Sequence, residues 1–253
     1  MESNFTVIQD TWNEEDDIEL LNYVADKNLK TKYLSENEIL NTNIFNIDVL
    51  FCDTDIIQKK INQFNKVISL VPDCYPLEFE TLYNRQIQKI KLENLNEIEK
   101  PYFVKPFENN KSFDARKIYN NDNHEYLLQD LAELNFTKED FLYVSTIVEF
   151  INEFRLFMGN GKIYGIVEST NMLINSKKCV NKKPPQDFLD KVLELNTFNF
   201  CVIDVGIINL NGTHVWSIVE VNPPFALSSY EWPIEDYYKY CKDAFNYLKH
   251  TLF

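Results

Sequence analysis

Three side chains in the last third of the chain, Asp204, Glu220 and Asn222, have the types and spacing to hold a hard cation. Glu220 and Asn222 are alternate residues at the end of the largely apolar run Val215-Trp216-Ser217-Ile218-Val219, so on a β-strand both leave the same face. Asp204 closes a second apolar run, Phe200-Cys201-Val202-Ile203, ahead of an expected turn at Gly206. If the two strands pair, two carboxylates and an amide oxygen meet at one edge, a set suited to Mg²⁺ bound together with phosphate groups. The alternative is a solvated hairpin with polar ends.

Anion-holding groups come next. The only glycines are at 159, 161, 165, 206 and 212, so neither a Walker loop nor a Gly-rich Rossmann turn is present. A nucleotide would have to be held by cationic side chains and a sheet, not by a glycine loop at a helix start. The candidates are Lys105, Lys111, Arg116 and Arg155. Lys105 ends the strand-like run Tyr102-Phe103-Val104 and precedes Pro106, which sets its ammonium on a rigid element; the same position also suits a solvated charge. Arg155 lies between Phe154 and Leu156, with Glu153 on its face. It is either half of a cross-strand pair on a solvated face or a guanidinium fork aimed at phosphate oxygens. Glu149-Phe150-Ile151 ends the preceding strand, where a backbone edge beside apolar side chains could receive a flat adenine ring.

The elements that must carry these residues read as follows. Phe5-Thr6-Val7-Ile8, Ile47 to Cys52 and Val67 to Val71 are strand-like, with a helix starting near Asn13-Glu14 and another capped at Asp53/Thr54/Asp55. That β-α-β-α-β order predicts a small, mostly parallel sheet. Residues 76–95 read as a helix or connector, and a second unit starts near Pro101 with strands at 102–106 and around 117–119, a helix at 126–131 and a strand over 144–150. A hairpin joins 153–158 to 162–167 across Gly159-Asn160-Gly161, and helices are expected over 185–195 and 235–252, the latter with its tyrosines and phenylalanines in the core.

The 253 residues are 45% hydrophobic and 14% aromatic, enough for one large or two modest globular domains. A formal net charge of −14 argues against nucleic acid or an anionic membrane as the main partner. Five scattered cysteines (Cys52, Cys74, Cys179, Cys201, Cys241) without a C-x-x-C spacing argue against a zinc site or disulfide framework and favour a reducing compartment. His124, His214 and His250 form no ligand motif and read as surface or turn residues. With no signal-peptide pattern and no apolar run of membrane length, a soluble cytoplasmic protein is expected.

Taken in order, Lys105, Glu149-Phe150-Ile151, Glu153-x-Arg155-x-Phe157, Asp204-Val205-Gly206 and Glu220-x-Asn222-Pro223 resemble the ATP-grasp superfamily. The likeness is strongest to a small branch found in phages, large viruses and bacteria, which has a tyrosine shortly after the last motif, here Tyr230. It covers roughly residues 100–232, with a weaker echo at Tyr75-Pro76 and Arg85. The resemblance implies an α/β protein with a small N-terminal parallel-sheet domain over 1–98 and an ATP-grasp domain over 99–253. It implies Lys105 on the α- and β-phosphates, Glu149, Phe150 and Ile151 as the adenine hinge, and Glu153 reaching the ribose or a second lysine. Arg155 would stabilise the transferred phosphoryl group, and Asp204, Glu220 and Asn222 would hold Mg²⁺. Many members cover the phosphates with a Gly- or Ser-rich loop; here residues 107–116 contain Ser112 and no glycine, with Lys111 and Arg116 as charged tips.

The activity implied is a Mg-ATP-dependent ligase that joins a carboxylate to an amine or thiol through an acyl phosphate, with a peptide, protein or amino acid as substrate. Two rivals remain. One is an ATP-binding assembly factor without ligase chemistry, since the likeness extends distantly to the eukaryotic factor that helps assemble translation initiation factor 2. The other is a non-catalytic remnant of the fold.

Overall fold

The computed structural model describes residues 4–11, 14–64, 73–107, 112–169, 183–225 and 229–252. The N-terminal part contains β1 (Phe5–Gln9), α1 (Glu14–Asp26), β2 (Thr31–Leu34), α2 (Glu36–Asn41), β3 (Ile47–Phe51) and α3 (Thr54–Asn62). The three strands form a parallel sheet in the order β2-β1-β3. β1 is buried along its whole length, as its aromatic and β-branched run requires of a central parallel strand. α2 begins where Glu38 turns back to accept the Ser35 amide at 2.8 Å, and α3 follows Asp53 as expected. The expected strand at 67–71 lies outside the described residues. The third strand of the sheet is β2, an edge strand with two exposed central residues and no apolar signature.

A second, antiparallel sheet has the order β4-β7-β5-β6. Its strands are β4 (Ile87–Lys91), β5 (Tyr102–Pro106), β6 (Arg116–Ile118) and β7 (Phe141–Ser145), with α4 (Asn121–Glu133) between the last two. In place of one helix or connector over 76–95, two 3-10 turns (Leu77–Leu82 and Leu92–Glu97) flank β4. The expected boundary at residue 98 therefore falls inside this sheet, between β4 and β5. Tyr102, Val104, Ile118, Leu142 and Val144 cluster with Leu127 and Leu131 of α4, which leaves the opposite sheet face for other work. His124 shares the buried face of α4 with Leu127 and Leu131 and is not a surface residue. Its Nδ1 lies 2.6 Å from Tyr102 Oη and its Nε2 2.8 Å from Asn96 Oδ1.

The third sheet, also antiparallel, has the order β11-β10-β8-β9. It comprises β8 (Phe150–Gly159), β9 (Lys162–Glu168), β10 (Phe200–Leu210) and β11 (Thr213–Asn222), with α5 (Gln186–Leu195) before β10 and α6 (Ile234–Thr251) at the end. The predicted hairpin is present, with Asn160 at φ 50° and Gly161 at φ 70° in its turn. Two expectations need correcting. Residues 144–150 are not one strand: β7 ends at Ser145 and β8 starts at Phe150, and the chain crosses between sheets over 146–149. Gly206 is no turn but lies inside β10, where an added Cβ would sit 2.6 Å from Phe150 Cδ1 and 2.7 Å from the Asn152 carbonyl oxygen. The turn comes later, at Asn211 and Gly212, both at positive φ. Tyr237, Tyr238, Tyr240 and Phe245 of α6 pack as expected, on two sides at once, whereas Tyr247 is exposed. Phe157, Trp232 and Tyr240 meet in one cluster, while Tyr238 Oη lies 2.7 Å from Thr6 Oγ1 of β1.

Candidate active site

Strand register assembles the acidic end of the site. Asp204 on β10 is opposite Glu220 on β11 and opposite Arg155 on β8, so the three side chains share one sheet face. Arg155 grips Asp204 with both prongs, Nε to Oδ1 and Nη2 to Oδ2, each 2.9 Å. Asn222 donates its amide to Asp204 Oδ2 at 3.0 Å and to Glu220 Oε1 at 3.3 Å. Lys105 reaches across from β5 to Glu220 Oε2 at 2.5 Å. Burial works against the Lys105 ammonium, but Glu220 more than offsets it and holds the lysine above its usual range. Burial likewise opposes ionisation of Glu220, and Lys105 with Asn222 holds its carboxyl below the usual value. These contacts exclude the solvated-hairpin alternative.

A cleft of about 530 Å³ runs between the second and third sheets beside this cluster. Phe103, Lys105 and Lys117 line it on one side, the 145–150 crossing forms its end, and Glu153, Val219 and Glu220 close the other side. Tyr75 and Arg85 complete the wall. Glu149, Phe150 and Glu153 are therefore brought together with Lys105, as the sequence suggested. Ile151 is the next residue along and is not among the lining side chains.

One candidate is displaced by strand parity. β5 and β6 pair Val104 with Arg116 and Phe103 with Lys117. Because Phe103 and Lys105 face the cleft, Lys117 faces it too, and Arg116 points to the other side of the sheet. There the Arg116 guanidinium meets Asp130 of α4 at 2.6 Å. Lys111 lies outside the described residues. Parity counted from Lys105 across the pair would have exposed Lys117, had the register been known. Arg85 had only a faint sequence signal, since its partners are distant in the chain. It donates to the carbonyls of Ile218 at 2.7 Å and Val219 at 2.6 Å, and its guanidinium lies 5.5 Å from the ring centres of both Tyr75 and Phe150. Arg85 thus ties the strand bearing Glu220 to the first residue of β8.

Among the described residues no cluster of three or more His, Cys, Asp or Glu side chains could hold a metal. The set here is two carboxylates and one amide, all hard oxygen donors, which matches Mg²⁺ completed by substrate oxygens. Glu153 registers the local field. Burial first, then the nearby Asp204 and Glu220, push its carboxyl up to about 7.

A family model described as an "ATP-grasp domain", the second family of its clade, matches residues 82–240. No curated protein matches the sequence. Among solved structures, the chain superposes on a RimK domain ATP-grasp protein from Sphaerobacter thermophilus with a TM-score of 0.60 at 10% identity, covering 95% of this chain and 99% of that one. For D-alanine–D-alanine ligase from Bacillus anthracis complexed with ATP the TM-score is 0.55 at 13% identity, with 98% and 99% covered. For the macrocyclase MdnC of Microcystis aeruginosa bound with its precursor peptide it is 0.53 at 10% identity, with 98% and 99% covered. At these identities the likeness is one of fold.

Proposed function

This chain belongs to the ATP-grasp superfamily, and from that premise we propose that it is a Mg-ATP-dependent ligase joining a carboxylate to an amine or thiol. One observation carries the reading. Lys105 and Glu220 meet from two sheets in the wall of one cleft that ends in the Glu149-Phe150 crossing, and Asn222, Asp204 and Arg155 continue from Glu220 as one hydrogen-bonded cluster beside it. The ATP-grasp ligases with which it shares a fold support the same reaction class.

In this reading the adenine of the substrate ATP lies against the 146–150 backbone and Phe150, and Lys105 with Lys117 takes up phosphate charge. Arg155 faces the γ-phosphoryl group as it moves to the carboxylate, and the acyl phosphate is then opened by the amine or thiol with release of phosphate. Asp204, Glu220 and Asn222 would hold Mg²⁺. When bound, that ion neutralises phosphate charge and orients the transferred group. Arg155, already fixed by two bonds to Asp204, adds charge stabilisation without having to reorganise. Among the described residues no helix is long and apolar enough to cross a membrane, which agrees with a substrate taken from solution: an amino acid, a peptide or a protein tail.

The test is calorimetric titration of ATP with and without Mg²⁺, beside Glu220→Gln, followed by ADP release with candidate acceptors. Metal-dependent binding abolished by the substitution is expected. Metal-dependent binding with no ADP release for any carboxylate–amine pair would favour an assembly factor, and no binding by folded protein would end the nucleotide reading.

A further inference from the structure

Six non-glycine residues among those described have positive φ, and five are asparagines: Asn28, Asn84, Asn135, Asn160 and Asn211. The sixth is Tyr230, at φ 50°. Asparagine tolerates this region because its short amide bonds locally, whereas a tyrosine there crowds its Cβ against its own backbone. Tyr230 holds the first central position of a turn closed by the Trp232 amide on the Ser229 carbonyl, 3.1 Å. Glycine or asparagine normally fills a position of this kind.

Packing keeps the turn from relaxing. Trp232 is stacked on Phe157, ring centres 4.4 Å apart and planes 27° apart. Its indole lies so close over Gly165 that a Cβ there would come within 2.4 Å. Backbone strain that persists against such a cost is held by its surroundings and gathers at working sites. What this strain achieves is visible: the Arg155 guanidinium carbon lies over the Tyr230 ring, 4.8 Å from its centre, while 39% of the tyrosine stays exposed.

Asn222 ends β11 and Tyr230 lies in the turn ahead of α6, and both come back to the Arg155–Asp204 pair. Asn222 touches Asp204 through its amide, and Tyr230 sets its ring face against the arginine. Asp204 fixes the guanidinium in its plane but cancels one unit of charge. A ring packed against the guanidinium restricts its remaining freedom and adds no anion. We propose that Tyr230 is a positioning residue that locks Arg155 toward the γ-phosphoryl group, and that its strained backbone is retained for this purpose. The proposal rests on the nucleotide reading above and extends it to a residue outside the metal and phosphate set.

The test compares wild type, Tyr230→Phe and Tyr230→Asn, each titrated with Mg-ATP and with Mg-ADP and each melted thermally. Wild type and Tyr230→Phe are expected to prefer Mg-ATP by the same factor. Tyr230→Asn should lose about tenfold of that preference, with Mg-ADP affinity unchanged and a melting temperature equal to or above that of wild type. Unchanged Mg-ADP affinity shows that the variant is folded and its nucleotide cleft intact. A preference that survives in Tyr230→Asn, its absence from wild type, or an equal loss for both nucleotides overturns the proposal. Failure of wild type to bind either nucleotide is a separate result, which removes the nucleotide reading itself.

Discussion

Lys105 on β5 and Glu220 on β11 form a 2.5 Å ion pair across the cleft, so the side chain assigned to phosphate holds the one assigned to metal. Under the proposed function, each would give up the other when its own ligand arrives. Metal and nucleotide would then assist one another, because phosphate would draw the ammonium away and free the carboxylate.

This coupling has an unusual consequence for Lys105→Met. The substitution should weaken Mg-ATP binding, yet strengthen binding of Mn²⁺ alone by about tenfold, since the metal no longer competes with a buried ammonium. Electron paramagnetic resonance of free Mn²⁺ reads this directly. Equal or weaker Mn²⁺ binding in the variant would show that Glu220 is not shared between the two.

Glu153 gives a pH signature. Its folded-state carboxyl sits at about 7, above the ordinary 4.5, because burial, Asp204 and Glu220 disfavour its charge. Between those two values the folded state binds more protons than the unfolded state, so stability falls as pH rises through this window. Glu153→Gln removes that slope. The variant should match wild type near pH 4.5 and exceed it at pH 8, by up to about 3 kcal/mol at 1.36 kcal/mol per unit. Urea denaturation at both pH values checks it; a parallel offset at the two would assign the effect to packing.

Strand parity separates neighbouring cations. Lys117→Ala should weaken Mg-ATP binding by about tenfold, the worth of one charge-assisted contact. Arg116→Ala should leave affinity unchanged and affect only the pairing with Asp130 on α4. If calorimetry of the two variants gave the reverse order, the β5–β6 register would be wrong.

Gly206→Ala tests how close β8 and β10 must run. Its Cβ would meet Phe150 Cδ1 at 2.6 Å and a backbone oxygen at 2.7 Å, and the backbone contact cannot yield by a rotamer change. A loss of about 1–3 kcal/mol is expected, together with weaker nucleotide binding as Phe150 is displaced from the cleft. Unchanged values for both would mean that the two strands separate freely at this point.

The strands with strong apolar runs, β1, β3, β5, β10 and β11, were legible in the sequence, as were the Asn160-Gly161 hairpin and the order of site residues that pointed to the fold. The edge strands β2 and β4 were not. β4 sets Ile87 and Ile90 three positions apart among Gln88, Lys89 and Lys91, without a period-2 pattern, because pairing with β7, not burial, makes it a strand. The stretch 144–150 looked continuous because its residues favour extended backbone in either sheet, and only the tertiary structure shows where it changes sheets. Gly206 suggested a turn because a glycine kept for close approach reads the same as one kept for φ. Arg116 was named as a candidate and Lys117 was not, because which of two neighbours faces the cleft depends on register, and register belongs to two strands at once.

The packing of α6 bears on how the chain reaches this structure. Thr6 meets Tyr238, 232 positions later, and Asp48 meets Lys242, 194 positions later. During synthesis the N-terminal parallel sheet emerges long before the helix that covers it, and such distant pairings slow folding. A nascent chain halted before residue 234 should therefore show strands β1 to β3 open to protease, and the same strands should become resistant once α6 has left the ribosome.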